Sequence, residues 1–209
     1  MGAFLLLWQN SINSVIFSAI NVLESEVLSM ETGFKELDEI ITLDNNKFIF
    51  IAGEQAVGKT TFALNVINNV ANQNVPSLFF SFELSKESIT NENAETLFID
   101  DTANVTIDYI EEQCRKFKQE QNIMFVVIDY LQLINYNGDM KVLGSKLKAL
   151  AEELNVTILV LSQLSKVKAL KPTIEDLKQS KPVAEIADVV MFLFRSNSKM
   201  KMTVSKNKF

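Results

Sequence analysis

Histidine is absent from the 209 residues. That removes imidazole metal sites and acyl transfer of the Ser-His-Asp kind. Cysteine occurs once, at Cys114. A disulfide framework is therefore excluded, and a reducing, cytoplasmic setting is expected. Arginine occurs only at Arg115 and Arg195, which bears on phosphoryl transfer, where an arginine often completes the site. Charge of either sign is missing from residues 1–23. No basic region precedes the apolar AFLLLW and no small-residue cleavage site follows it, so the stretch does not read as a signal peptide. Gln9, Asn10, Ser11, Asn13, Ser14, Ser18 and Asn21 interrupt it, and no membrane span is expected.

What remains is a chain long enough for one α/β domain, and at 47% hydrophobic it is globular. Its net charge is −6, unevenly spread. From Lys166 to Lys208, nine lysines and Arg195 oppose Glu175, Asp176, Glu185 and Asp188, leaving +6 there and −12 elsewhere. Such asymmetry marks either a local anion-binding face or a solvated surface. Near the start, Ile12, Val15, Ile16, Ala19, Ile20, Leu23 and Val27 form one stripe at helical spacing. Residues 1–30 are thus expected to be an amphipathic helix ahead of a domain over 31–209. The stripe can fold back on its own core or dock on a neighbouring subunit.

The most informative stretch is Lys47–Leu64, KFIFIAGEQAVGKTTFAL. Lys47–Ala52 reads as a buried strand, and a helix runs from Lys59 to about Gln73. Between them, Gly53 to Thr60 fit G-x-x-x-x-G-K-[ST], the loop that cradles phosphates. Gly53 and Gly58 let the backbone turn so that successive N–H groups face phosphate oxygens. The helix adds its positive end. Gly53, Glu54, Gln55, Ala56, Val57, Gly58, Lys59, Thr60 and Thr61 are expected to line a nucleoside-triphosphate site. Lys59 supplies a charge for the β- and γ-phosphates, and Thr60 a hydroxyl for Mg²⁺.

Further strands are expected at Ser77–Phe82, Leu97–Ile99, Ile123–Ile128 and Val156–Leu161. Val189–Phe194 and Met200–Val204 are expected to close the sheet as a hairpin or edge pair. Helices are expected at Lys35–Ile41, Thr106–Gln119, Met140–Leu154 and Thr173–Leu177, with polar loops at Asn91–Glu95 and after Gln163. This alternation gives a mostly parallel sheet with helices on both faces. Three polar residues close buried strands at the carboxyl edge, where such sheets bind ligands. Asp129 reads as a metal-holding carboxylate or a turn residue. Glu83 reads as a general base or a solvated acid. Gln163 reads as a candidate sensor of the γ-phosphate.

The motifs TGFKELD (32–38), GEQAVGKTTFALN, FSFELSKES, VVIDYLQL, LKALAEELNV, LSQL and ADVVMFLFR occur in this order. Together they resemble the ATPase domain of DnaB-type replicative helicases. The resemblance covers nearly everything from Thr32 onward. It implies a RecA-like P-loop NTPase fold, a hexameric ring of identical chains, ATP hydrolysis between subunits, movement on single-stranded DNA, and other replication proteins as partners. It also implies that Lys59 and Thr60 bind phosphates and Mg²⁺, Glu83 is the catalytic base, Asp129 holds the metal, and Gln163 senses the γ-phosphate. The family's DNA loop matches the segment containing Lys178, Gln179, Ser180 and Lys181, inside the basic third.

Several departures are visible. Only one helix-length segment precedes Thr32, so the family's N-terminal domain is not expected here. Residues 89–97 are shorter than the family pattern, and the loop after Gln163 is trimmed. The family's trans-acting Lys-x-Arg reads Lys206-Asn207-Lys208. Lysine keeps the charge but lacks the planar fork that clamps a transition state. Three readings follow: a minimal DnaB-type motor, a degenerate ATP- or DNA-binding module with little turnover, and a regulatory ATPase of RecA-like descent.

Overall fold

Strands buried on both faces cannot alternate apolar and polar residues, and here they do not. In β1 (Phe48–Glu54), Phe48 and Phe50 enter one core while Ile49 and Ile51 enter the other. The same division holds in β2 (Ser77–Ser81), β4 (Phe125–Asp129) and β5 (Thr157–Leu164). With β3 (Leu97–Asp100), β6 (Val189–Ser196) and β7 (Lys199–Asn207), these form one seven-stranded sheet in the order β3-β2-β4-β5-β1-β6-β7. All neighbours are parallel except β6 and β7, an antiparallel hairpin at the sheet edge.

Helices α1 (Lys35–Asp38) and α2 (Lys59–Asn72) cover one face, through Leu37, Phe62, Val66, Ile67 and Val70. Helices α3 (Ile107–Gln121), α4 (Met140–Leu154) and α5 (Lys181–Ile186) cover the other, through Ile110, Leu143, Leu147, Leu150 and Val183. The ends of α3 and α4 are marked by their caps. The Thr106 hydroxyl accepts from the Tyr109 N–H at the start of α3, and the Asp139 carboxylate accepts from the Lys141 N–H at the start of α4. Asn122 and Asn155 end those helices in the left-handed conformation. Cys114 of α3 is fully buried in the core.

The computed structural model describes residues 30–89, 95–166, 171–197 and 199–208. The N-terminal stripe from Ile12 to Val27, most of the Asn91–Glu95 loop and part of the loop after Gln163 lie outside the described residues. No helix among the described residues is long and apolar enough to cross a membrane.

Several boundaries differ from the sequence reading. β1 runs on to Glu54 and β5 to Leu164, so Gly53 and Gln163 stand on strands, directly paired. β2 stops at Ser81, yet the Phe82 N–H still donates to Asp129 O at 3.0 Å and holds the approach to Glu83. The helix expected at Thr173–Leu177 is a 3₁₀ stretch, Ile174–Ser180, followed at once by α5. Pro182 sits in the first turn of α5, where its missing N–H costs no bond.

Candidate nucleotide site

β1 lies where the chain's winding reverses: β2 and β4 follow on one side of it, β6 on the other. Ligands of open α/β sheets bind beyond the carboxyl ends of strands at such a point. The loop between β1 and α2 occupies it. Two residues there have positive φ, Ala56 at 57° and Gly58 at 109°. Only Gly58 takes the value without steric cost. Gly53 serves otherwise than expected. It does not turn the chain; a Cβ there would lie 2.7 Å from Leu193 O and 2.8 Å from Val57 Cγ1, so glycine lets β1 and β6 close on each other.

Lys59 opens α2 and is buried, its Nζ donating to Gly53 O at 2.9 Å and Glu54 O at 3.0 Å. Burial lowers its pKa, while the Asp129 and Glu83 carboxylates work the other way. Asp129 closes β4 and is 2% exposed. Burial raises its carboxyl pKa; a hydrogen bond from the Thr60 hydroxyl opposes the shift, Glu83 adds to it, and Lys59 opposes it. A carboxylate held against such desolvation is a cost to the fold that a bound cation would offset.

These residues share one cavity of about 260 Å³, lined by the loop from Gln55 to Thr61 together with Glu83, Asp129, Tyr130 and Gln163. Val57 is buried in the core beneath. The structure thus brings together Lys59, Thr60, Glu83, Asp129 and Gln163, drawn from four separate strands and their following turns. Among the lining residues Lys59 is the one cation. Among the described residues no group of three His, Cys, Asp or Glu side chains could hold a metal. One buried carboxylate beside one hydroxyl is instead the oxygen donor set that suits Mg²⁺ shared with a ligand's phosphates.

The remaining candidates lie apart. Lys178 and Gln179 are exposed at the end of the 3₁₀ stretch, with Lys178 bent to φ 48°, ψ −111°. Ser180 is buried and its hydroxyl donates to Leu177 O at 3.0 Å. Lys181 is paired with Glu175 at 2.7 Å. Of the four expected DNA contacts, two therefore present exposed side chains and two are already engaged within the chain.

Lys206 pairs with Val190, and Val189 with Asn207, at the amino end of β6. Leu193, further along β6, pairs with Gly53. Lys206 and Lys208 are thus at the end of the sheet remote from their own phosphate loop. Their ammonium groups donate to backbone carbonyls at the end of α5, Lys206 to Ala184 and Glu185, Lys208 to Ile186. Lys208 also meets Asp188 at 3.2 Å. Asp188 is buried and accepts from the Phe48 N–H and from Lys148 at 2.6 Å. Burial would raise its pKa, but the bonds from Lys148, Phe48 and Lys208 win and hold it below the usual carboxylate range. A depressed carboxyl stabilises the fold above its unfolded pKa, and that contribution is lost as pH falls through the folded value.

Sequence reasoning missed Gln132. It lies in the turn Leu131–Leu133 after β4, and its side-chain amide bonds to Ser162 and Gln163. Its place in the IDYLQL motif was the only available signal.

Strand order, helices on both faces and the loop after β1 define a P-loop domain of the RecA-like class. Comparison with known proteins narrows this. The model of the DnaB-like helicase C terminal domain matches residues 29–96 and 88–208. The chain belongs to that family. The two matches meet where residues 89–97 read as shortened. The replicative DNA helicase DnaB of Geobacillus stearothermophilus is 32% identical over 233 residues, covering 88% of this chain and 51% of that protein. The replicative DNA helicase DnaC of Bacillus subtilis is 31% identical, with the same coverage. The chain spans about half the length of these relatives. Among solved structures, a DnaB-like replicative helicase, described with its interactions with primase, aligns with a TM-score of 0.76 at 23% identity, over 95% of this chain and 61% of that one. A solved ATPase domain gives 0.75, also at 23% identity, over 95% and 90%.

Proposed function

We propose that this chain is a DnaB-type motor domain that hydrolyses Mg²⁺-bound ATP, holds single-stranded DNA and works in replication as a ring of copies, six by family resemblance. The observation that carries the reading is the convergence of Lys59, Thr60, Glu83, Asp129 and Gln163 on one cavity. Backbone N–H groups of the loop and the Lys59 ammonium bind the phosphates. Thr60 and Asp129 hold Mg²⁺, which when bound neutralises charge on the phosphates. Glu83 takes the proton of the attacking water. Gln163 contacts the γ-phosphate from the tip of β5.

An ATPase assay with and without single-stranded DNA tests this. DNA-stimulated turnover supports it, and turnover indifferent to DNA points to a regulatory ATPase. A second reading, a binding module with little turnover, is favoured by Lys208, which stands where the family has arginine and is held by Asp188. Tight nucleotide binding without turnover supports that one.

For DNA, Lys178 is the stronger candidate and Lys181 the weaker, because Glu175 already pairs with Lys181. Phosphate contacts make affinity fall with salt, by a slope of about 0.7 per contact on single strands. Lys178→Ala should reduce the slope by about that amount for every sequence tested, and Lys181→Ala by less. Titration at several salt concentrations measures it; an unchanged slope for Lys178→Ala removes this segment from the interface.

For assembly, Lys206 and Lys208 are remote from their own cavity, so any role at a γ-phosphate must be played on a neighbour. In this reading the N-terminal stripe from Ile12 to Val27, which lies outside the described residues, helps to hold that neighbour. Mixing Lys59→Ala with Lys208→Ala, each expected to be inactive alone, should restore partial turnover, since some interfaces then join an intact loop to an intact finger. If mixing restores nothing and Lys208→Ala alone is fully active, no finger acts.

A further inference from the structure

β4 and β5 pair only as far as Ile128 and Val160, yet β5 continues to Leu164 beside β1. Beyond Val160, one side of β5 has no strand to bond. The Gln132 side chain takes that place. Its Oε1 accepts from the Gln163 N–H at 3.1 Å, while its Nε2 donates to Gln163 O at 3.1 Å and to Ser162 Oγ at 3.0 Å. A carboxamide has the donor and acceptor of a peptide group, so this pairing replaces one rung of the missing ladder. Gln132 is itself fixed from behind: Leu131 is 1% exposed, and the Leu133 N–H closes the turn on Tyr130 O at 3.0 Å.

Gln163 and Tyr130 line the phosphate-loop cavity and also a second cavity of about 600 Å³. Gln132, Lys178 and Gln179 line the second cavity only. Gln132 therefore faces the lysine-bearing segment on one side and holds a residue of the nucleotide cavity on the other.

We propose that Gln132 is a positioning residue: its amide fixes the tip of β5 so that Gln163 is aimed at the γ-phosphate. The inference rests on the ATPase reading above, but part of its test does not. Without the Gln132 amide the Gln163 N–H loses its acceptor and the tip of β5 is free to shift. Displacements of about 1 Å at such a position cost on the order of 10²-fold in rate.

The test uses Gln132→Met, which keeps side-chain length and lacks both hydrogen-bonding groups. Amide hydrogen exchange at Gln163 should accelerate in this variant while exchange in the rest of β5 stays protected. Turnover with saturating DNA should then fall on the order of 10²-fold in kcat, with KM for ATP nearly unchanged. Gln163→Ala should fall as far, and the double variant no further, because the two act as one unit. Unaltered exchange at Gln163 overturns the proposal, as does a wild-type kcat in Gln132→Met or an additive double variant. A wild-type protein without turnover overturns the ATPase reading instead, and the exchange measurement still decides whether Gln132 positions Gln163.

Discussion

Lys59→Ala should fold normally and lose ATP turnover by on the order of 10²–10³-fold, the usual effect of removing one preorganised group aimed at developing charge. The ammonium is the one cation lining the cavity, and no other lysine or arginine among the described residues lines it. In its present position it bridges Gly53 O and Glu54 O, so its stem and charge are already directed at the loop. The variant also relieves a buried cation whose pKa is lowered by desolvation, so the fold should not weaken greatly. Steady-state hydrolysis and thermal unfolding together check this. Retained turnover in a folded variant removes the loop from the chemistry.

Glu83→Gln should keep nucleotide affinity and lose hydrolysis by about 10²–10⁴-fold, the range expected when a general base is removed. The side chain is exposed and reaches the cavity from just beyond β2, facing Asp129 and Lys59. Glutamine preserves its shape and removes only its capacity to take a proton. Binding of a fluorescent ATP analogue and single-turnover hydrolysis separate the two effects. A collapse of affinity with unchanged turnover per bound ATP would make Glu83 structural.

The fold and the phosphate loop were legible because their signals are local. Apolar runs such as Phe125–Ile128 announce strands buried on both sides, and the loop has a fixed spacing. Asp129 was legible because a charge at the end of such a run has only one edge to occupy. What could not be read depends on contacts made at long range. The apolar run of β5 stops at Leu161, so its continuation to Leu164 could not be read; β1 on one side and the Gln132 amide on the other keep the polar Ser162 and Gln163 in the strand. Ser180 and Lys181 look like open DNA contacts until burial and Glu175 are seen. Lys206 and Lys208 reach the carbonyls of α5 from more than 20 residues away, a pairing no local pattern encodes.

The two ends of the sheet have a bearing on how this chain meets others. Among the described residues, the sheet stops at β3, four residues ending in Asp100, and at β7, whose exposed Lys199 and Lys201 lie along the outer strand. A short strand gives an incoming chain little to pair with, and a lysine-bearing one must give up hydration to accept it. Merging of sheets from separate molecules is disfavoured at both margins, and with it the growth of fibrous aggregates. In the proposed ring, the contacts that the described residues make between copies are then left to side chains on the faces and loops. Subunits joined that way can part and rejoin without unzipping a backbone ladder, which suits the proposed ring, since a closed ring must open to admit a strand of DNA.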